Sequence, residues 1–101
     1  MHHTAIDDYV LDVLMPDLAG HDRSPAAFLV YVVLWTRLYR SGERSIAISL
    51  QQFVESTGIS KTAVQRSLNL LKRRRLITVT RANPTAVPRY GVVRHWIKRR
   101  R

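Results

Sequence analysis

The chain of 101 residues contains no cysteine. Without a thiol it can form no disulfide, no thiolate nucleophile and no cysteine-ligated zinc site. The four histidines do not have the spacing of metal ligands, since they stand at His2, His3, His21 and His95. Glycine-rich phosphate loops and nucleophile motifs are also missing. We therefore expect a protein that is not an enzyme and that needs no metal, cofactor or small-molecule ligand.

Long apolar segments are scarce as well. The longest run, from Ala26 to Trp35, has ten residues, which is too short to span a bilayer. The acidic N-terminus has no signal-peptide pattern, and neither a lysine-rich amphipathic helix nor a lipidation signal favours a membrane surface. We expect a cytoplasmic protein without a membrane partner.

Acidic residues are few, and they are unevenly placed. Residues 1–22 contain five of the seven, with no lysine or arginine, and have a net charge of −5. Residues 23–101 contain all 17 basic residues against Glu43 and Glu55, a net charge of +15. Such a field favours a polyanion, and nucleic acid is the commonest one in a cell. The apolar fraction of 46% indicates a folded domain rather than a disordered basic chain.

The stretch from Ser49 to Ile77 predicts a helix, a short turn and a second helix. Ser49 and Ser60 are suitable N-caps, and Gly58 suits the positive φ of a sharp corner. Apolar residues recur at helical spacing in both helices and fill the corner: Leu50, Phe53, Val54, Ile59, Val64, Leu68 and Leu71. The opposite face of the second helix carries no acidic residue and consists of Lys61, Thr62, Gln65, Arg66 and Asn69. Such side chains can donate to phosphates and to base edges in a major groove.

This stretch resembles the helix-turn-helix of winged-helix DNA-binding proteins, which include bacterial transcription regulators and replication initiators. The flanking segments follow the same order. A helix from Ala26 to about Arg40 begins at Ser24–Pro25 and ends at Ser41–Gly42, with apolar residues on most of its sides. These are Phe28, Leu29, Val32, Val33, Trp35, Leu38 and Tyr39. Short strands are predicted at Ser45 to Ile48, Leu76 to Thr80 and Arg89 to Trp96, the last two joined by the loop Arg81 to Pro88. The expected fold is mainly α with a small β-hairpin wing, a winged helix-turn-helix with an extra N-terminal helix.

Two residues depart from the family pattern. Arg75 stands where winged-helix sequences often have glycine before the first wing strand. The second helix therefore either runs longer or turns the corner without a positive φ. Val54 replaces a small residue at the crossing of the two helices, which is expected to open that crossing slightly.

The acidic N-terminal segment predicts a short amphipathic helix over residues 4–15, with Ile6, Val10, Val13 and Leu14 on one side. Pro16 is expected to end it, and Asp17 to Arg23 to form a loop. This helix either packs on its own domain or pairs with a second copy in a dimer. We divide the chain into this segment at 1–22, a winged-helix domain at 23–97 and a basic tail at 98–101.

The resemblance implies that the helix Lys61–Arg74 enters the major groove of double-stranded DNA. Its polar face and the nearby wing then supply the predicted contacts, which are Ser60, Lys61, Thr62, Gln65, Arg66, Asn69, Arg73, Arg81 and Arg89. Ser60 is in the first place a cap, and a solvated wing loop is the alternative for Arg81 and Arg89. The implied function is sequence-specific DNA binding by a homodimeric transcription regulator. A replication or plasmid-maintenance protein and a winged-helix protein-interaction module are the alternatives.

Overall fold

The computed structural model describes residues 3–97, so the predicted basic tail at 98–101 lies outside the described residues. An N-terminal helix covers residues 8–21 and contains two π-helical stretches. The elements that follow are α1 (Pro25–Ser41), β1 (Ile46–Ala47), α2 (Leu50–Thr57), α3 (Lys61–Arg73), β2 (Ile77–Thr80) and β3 (Arg89–Val92). The predicted mainly α fold with a small β-hairpin wing is confirmed.

Helix α1 lies at the centre of the molecule and packs against α3, α2, β3 and the N-terminal helix. Ser24 accepts a hydrogen bond from the backbone N–H of Ala27, and Pro25 occupies the first turn, so the helix begins as predicted. Its buried stripe is narrower than expected and consists of Ala27, Val30, Tyr31, Leu34, Trp35 and Leu38. Leu29 and Tyr39 are 45% and 51% exposed, because no described element covers that side of the helix. Within residues 3–97 no helix is both long and apolar enough to cross a membrane.

The prediction that Pro16 ends the N-terminal helix is wrong, and so is the predicted loop after it. The helix continues through Pro16 (φ −65°, ψ −30°) into the π-helical stretch Asp17–His21. Met15 donates to the carbonyl of Val10 and Asp22 to that of Asp17, each five residues back. These wide turns on both sides of the proline let helical dihedral angles continue through a residue that has no N–H to donate. The other π-helical stretch, Val10–Leu14, ends two residues before Pro16.

The N-terminal helix packs on its own domain. Val10, Leu14 and Leu18 recur every four residues and are at most 2% exposed in the common core. The predicted inward position of Val13 is wrong, since its side chain is 40% exposed. Val13 stands one residue before Leu14, which turns its side chain by about 100° from the buried stripe toward the solvent.

The helix-turn-helix forms as its caps predict. Ser49 and Gln52 make a reciprocal capping box at the start of α2, and Ser60 accepts from the N–H of Ala63 at the start of α3. Gly58 has φ +77° and ends α2. The inward stripe of α3 is buried as predicted and also includes Ser67, whose hydroxyl donates to the carbonyl of Ala63 at 2.7 Å.

The chain turns sharply at Arg75 after α3, but in neither of the two ways that the sequence suggests. The helix ends at Arg73, so it does not run longer, and Arg75 itself takes φ +55°. Its N–H bonds to the carbonyl of Lys72, and that of Leu76 to the carbonyl of Leu71, both at 3.0 Å. This is the hydrogen-bond pattern of a helix end that usually has glycine at the left-handed position.

The three strands form an antiparallel sheet in the order β1-β3-β2. Ile46 lies opposite Tyr90, and Ile77 opposite Val92. The first strand is two residues shorter than predicted, and the last one ends at Val92 instead of Trp96. Gly91 is required in the central strand because a Cβ there would lie 2.9 Å from the backbone carbonyl oxygen of Arg44 and 2.8 Å from the hydroxyl of Thr78.

Strand β3 ends early because Trp96 turns back onto the N-terminus. Its ring stacks on Tyr9 with the centroids 4.5 Å apart, and its Nε1 donates to Asp7 Oδ2 at 2.9 Å. Arg94 donates to the same oxygen at 2.7 Å and lies 5.4 Å from the centre of the Trp35 ring. We call this group the aromatic clasp: Asp7, Tyr9, Trp35, Arg94 and Trp96. It joins the two ends of the described chain to α1.

Candidate nucleic-acid interface

The outer face of α3 is formed by the residues that the sequence predicted. Every one of these side chains is exposed, and they lie on one side of the helix: Lys61, Thr62, Gln65, Arg66 and Asn69. The inner side is anchored in the core by Val64, Leu68 and Leu71, so the orientation of the outer face is fixed by packing. Within residues 3–97 neither Lys61 nor Arg66 has an ion-pair partner. The cations are therefore available to an external anion.

A groove separates the first half of α3 from the loop between β2 and β3. It has a volume of ≈ 290 Å³, with Lys61 and Gln65 on the helix side and Arg81 on the loop side. The remaining wall includes Ser49 and Gln51 of the helix-turn-helix. The fold thus brings three of the predicted contact residues together, although Arg81 is 16 residues from Gln65 in the sequence.

A second cleft of ≈ 570 Å³ lies on the other side of α3. Arg66, Asn69 and Arg73 form one wall, and Asp22 and Ser24, from the connection between the N-terminal helix and α1, form the other. Arg73 is exposed, as a contact residue must be. The outer face of α3 is therefore flanked by a groove on each side.

The two wing arginines are exposed but make internal hydrogen bonds. Arg81 Nη1 donates to the carbonyl oxygens of Pro84 and Ala86, at 3.3 and 3.4 Å. Arg89 donates to Ser45, through Nε to Oγ at 3.1 Å and through Nη2 to the carbonyl oxygen at 2.8 Å. These bonds brace the wing loop and the sheet edge while each guanidinium keeps further N–H groups for an anion.

Arg74 has a structural role that its place in a run of four cations does not reveal. Its guanidinium donates to the carboxylates of Asp17 (2.5 Å) and Asp22 and ties the end of α3 to the end of the N-terminal helix. The hydrogen bond with Asp17 raises the pKa of Arg74, burial lowers it, and the charges of both aspartates raise it further, with a net increase. The only sign of this role in the sequence is that Arg74 closely follows Leu71, the last residue of the buried stripe. The aspartates that bind it lie more than 50 residues away in the chain.

Comparison with known families decides the class of the domain. Residues 37–86 match the model of the MarR family, from the last five residues of α1 to the wing loop. The match includes the whole helix-turn-helix and all but Val87 and Pro88 of the residues that line the groove between α3 and the wing. The chain belongs to the winged-helix family of DNA-binding domains. No curated protein and no solved structure gives a significant match.

The winged-helix assignment gives each element its role. In this fold α3 is the second helix of the helix-turn-helix, and the loop between β2 and β3 is the wing. Proteins of the MarR family are transcription regulators that bind DNA, and this chain is of the same general type. Within the described residues no three His, Asp or Glu side chains are grouped so that they could hold a metal ion. The matched segment leaves out the N-terminal helix and β3, so their roles rest on the structure of this chain alone.

Proposed function

We propose that the chain is a transcriptional regulator that binds double-stranded DNA sequence-specifically, with α3 in the major groove. In this proposal residues 23–97 are the DNA-binding domain, and the protein acts in the cytoplasm. The observation that carries it is the outer face of α3, where cationic and amide side chains are exposed and the cations have no carboxylate partner within the described residues. Elsewhere in the same structure, at Arg74 and Arg94, arginines are neutralised by aspartates.

The chemistry of this face suits readout of bases together with the backbone. Arg66 is suited to the O6 and N7 acceptors of guanine, and Gln65 and Asn69 to the N6 and N7 groups of adenine. Ser60, Lys61 and Thr62 at the first turn of α3 are suited to phosphates, since backbone N–H groups and the positive end of the helix dipole also lie there. Arg73, Arg81, Arg89 and the basic tail would add affinity that does not depend on sequence.

The proposal includes a homodimer formed through the N-terminal helix. Three apolar side chains on its outer side are unusually exposed: Leu11 at 42%, Val13 at 40% and Met15 at 39%. A second copy that covers them would remove apolar surface from water. Two recognition helices related by two-fold symmetry would read a palindrome with half-sites about 10 base pairs apart.

Selection from a library of randomised duplexes across a salt series tests the proposal, followed by sequencing of the bound DNA. The expected result is one enriched motif that remains bound near physiological salt, with palindromic half-sites if the dimer forms. A variant with Gln65, Arg66 and Asn69 replaced by alanine is the matched control and should lose the motif but remain folded. Binding that enriches no motif and disappears with salt would overturn sequence-specific recognition, and the face of α3 would then be sought as a protein contact.

A further inference from the structure

Four helix ends in the described chain close on a residue with positive φ. Two of these residues are glycines, Gly42 after α1 and Gly58 after α2. The other two are arginines, Arg23 after the N-terminal helix (φ +52°) and Arg75 after α3 (φ +55°). A left-handed conformation is strained for a residue with a side chain, and glycine adopts it without this cost. Arginine is therefore the less stable choice at both positions.

Each of the two strained arginines is the chain neighbour of one member of an ion pair. Asp22 precedes Arg23, Arg74 precedes Arg75, and the side chains of Asp22 and Arg74 are in direct contact. The connection between the N-terminal helix and α1 is thus held beside the C-terminal end of α3. The cleft that contains Arg73 lies between these two segments.

The charges at this place are not balanced by the chain itself. Arg23, Arg73 and Arg75 are exposed and have no ion-pair partner in residues 3–97, whereas both nearby aspartates are already paired with Arg74. Gathering like charges costs free energy in addition to the backbone strain. Strain and repulsion that are retained together at one place indicate a use for the charge.

We propose that Arg23 and Arg75, together with Arg73, form a second phosphate-binding site for the DNA backbone at the C-terminal end of α3. This inference rests on the proposed function and extends the interface beyond the recognition face to residues 22–24. The site takes phosphodiester groups without regard to sequence, because guanidinium groups on flexible side chains donate to phosphate oxygens and contact no base edge. The ion pair of Asp22 with Arg74 positions the two sides of the site.

Replacing each arginine by glycine separates this function from a structural role. Arg75→Gly and Arg23→Gly relieve the strain, so each variant should unfold at a temperature higher by about 2–6 °C. Each should nevertheless bind every duplex, random or preferred, about three- to tenfold more weakly near physiological salt. Each should also lower by about 1 the slope of log affinity against log salt. A side chain with only a structural role would not give higher stability and weaker binding in the same variant.

Two controls keep the result specific. Arg75→Lys retains the charge at the same position and should retain the salt slope. Arg44→Ala removes one exposed cation next to Trp35 and Arg94, outside the α3 interface, and should bind within about twofold of the unaltered protein.

Each other outcome overturns the inference in a recognisable way. If the unaltered protein binds DNA and the glycine variants bind equally well, the second site is wrong and the proposed function stands. A loss confined to one sequence would contradict the assignment to phosphates, and an equal loss in Arg44→Ala would assign the effect to net charge. If the unaltered protein binds no duplex, the proposed function fails and the second site fails with it.

Discussion

Arg73 and Arg74 are neighbours at the end of α3, but within residues 3–97 Arg73 has no ion-pair partner whereas Arg74 has two. Arg73 is exposed beside the outer face of α3, where the cations have no carboxylate partner within the described residues. Arg74 is 32% exposed and is bonded to Asp17 and Asp22, in the region where the acidic N-terminal helix packs. A high net charge therefore does not locate a binding surface. A candidate binding surface consists of the cations that do not form ion pairs within the fold.

The same division is repeated at the aromatic clasp. Arg94 is bonded to Asp7 on the face of α1 that the N-terminal residues cover. The acidic segment thus pairs with arginines at two places, Arg74 at the end of α3 and Arg94 in the clasp, and within residues 3–97 it pairs with no cation on the outer face of α3. The segment owes its net charge of −5 to five aspartates, and three of them, Asp7, Asp17 and Asp22, form these ion pairs.

The largest expected effect concerns the outer face of α3. Arg66→Ala should weaken binding to the preferred site by about 1–3 kcal/mol if Arg66 holds a base through two hydrogen bonds. Its thermal stability should not change, since the side chain is exposed and has no ion-pair partner among the described residues. Competition binding with the preferred site and a random duplex measures this. An equal loss on both duplexes would move Arg66 from base readout to phosphate contact.

The two neighbouring arginines give the sharpest test of the comparison itself. Arg74→Ala should lower the free energy of unfolding by about 1–2 kcal/mol, because two aspartates close together lose their shared partner and the partial exposure of the pair screens the loss. Arg73→Ala should change stability by less than about 0.5 kcal/mol. Urea unfolding of both variants checks the pair. Similar stability losses in the two variants would show that the regions do not differ as described.

The helix-turn-helix could be predicted from the sequence because its signals are local. Ser49, Gly58 and Ser60 act within one turn of where they stand, and the stripe of α3 follows from helical periodicity alone. Predictions that depended on distant partners were less successful. The strand predicted to reach Trp96 stops at Val92 because Tyr9 and Asp7, almost 90 residues earlier, hold the tryptophan.

The candidate site shows the same limit. The exposure of Lys61, Gln65 and Arg66 could be predicted, because the opposite side of α3 must be buried. The separation of Arg73 from Arg74 could not, since it depends on a π-helical segment that Pro16 was expected to prevent. The positive φ of Arg75 was missed for a related reason. Sequence statistics assign that conformation to glycine, whereas the buried Leu71 and Leu76 on either side require it here.

A smaller effect on stability is expected when the pH is lowered and Asp7 of the aromatic clasp is protonated. Burial raises the pKa of Asp7, but the hydrogen bonds from Trp96 and Arg94 and the charge of Arg94 lower it more, so the net change is a decrease from 3.8. A carboxylate with a lowered pKa contributes stability that is fully present above the ordinary pKa and is lost as the pH falls through the lowered value. Melting temperatures measured from neutral pH down to about pH 2.5 should therefore fall more steeply for the unaltered protein than for Asp7→Asn. Parallel curves would mean that the Asp7 carboxylate does not stabilise the clasp.

The smallest effect concerns the buried hydroxyl of Tyr31, next to Trp35 of the aromatic clasp. Its hydroxyl is fully buried without a hydrogen bond in the described structure, and burial raises the pKa of the phenol. The hydroxyl loses water on folding and gains no protein partner, so Tyr31→Phe should be neutral or stabilising by up to about 1 kcal/mol. Trp35 is the matched control, because its ring lies 6.2 Å from Tyr31 and its Nε1 donates to the carbonyl of Ala5 at 2.8 Å. Trp35→Phe should destabilise the fold, and thermal unfolding compares the two. A destabilised Tyr31→Phe would mean that the hydroxyl has a hydrogen-bond partner in the folded protein.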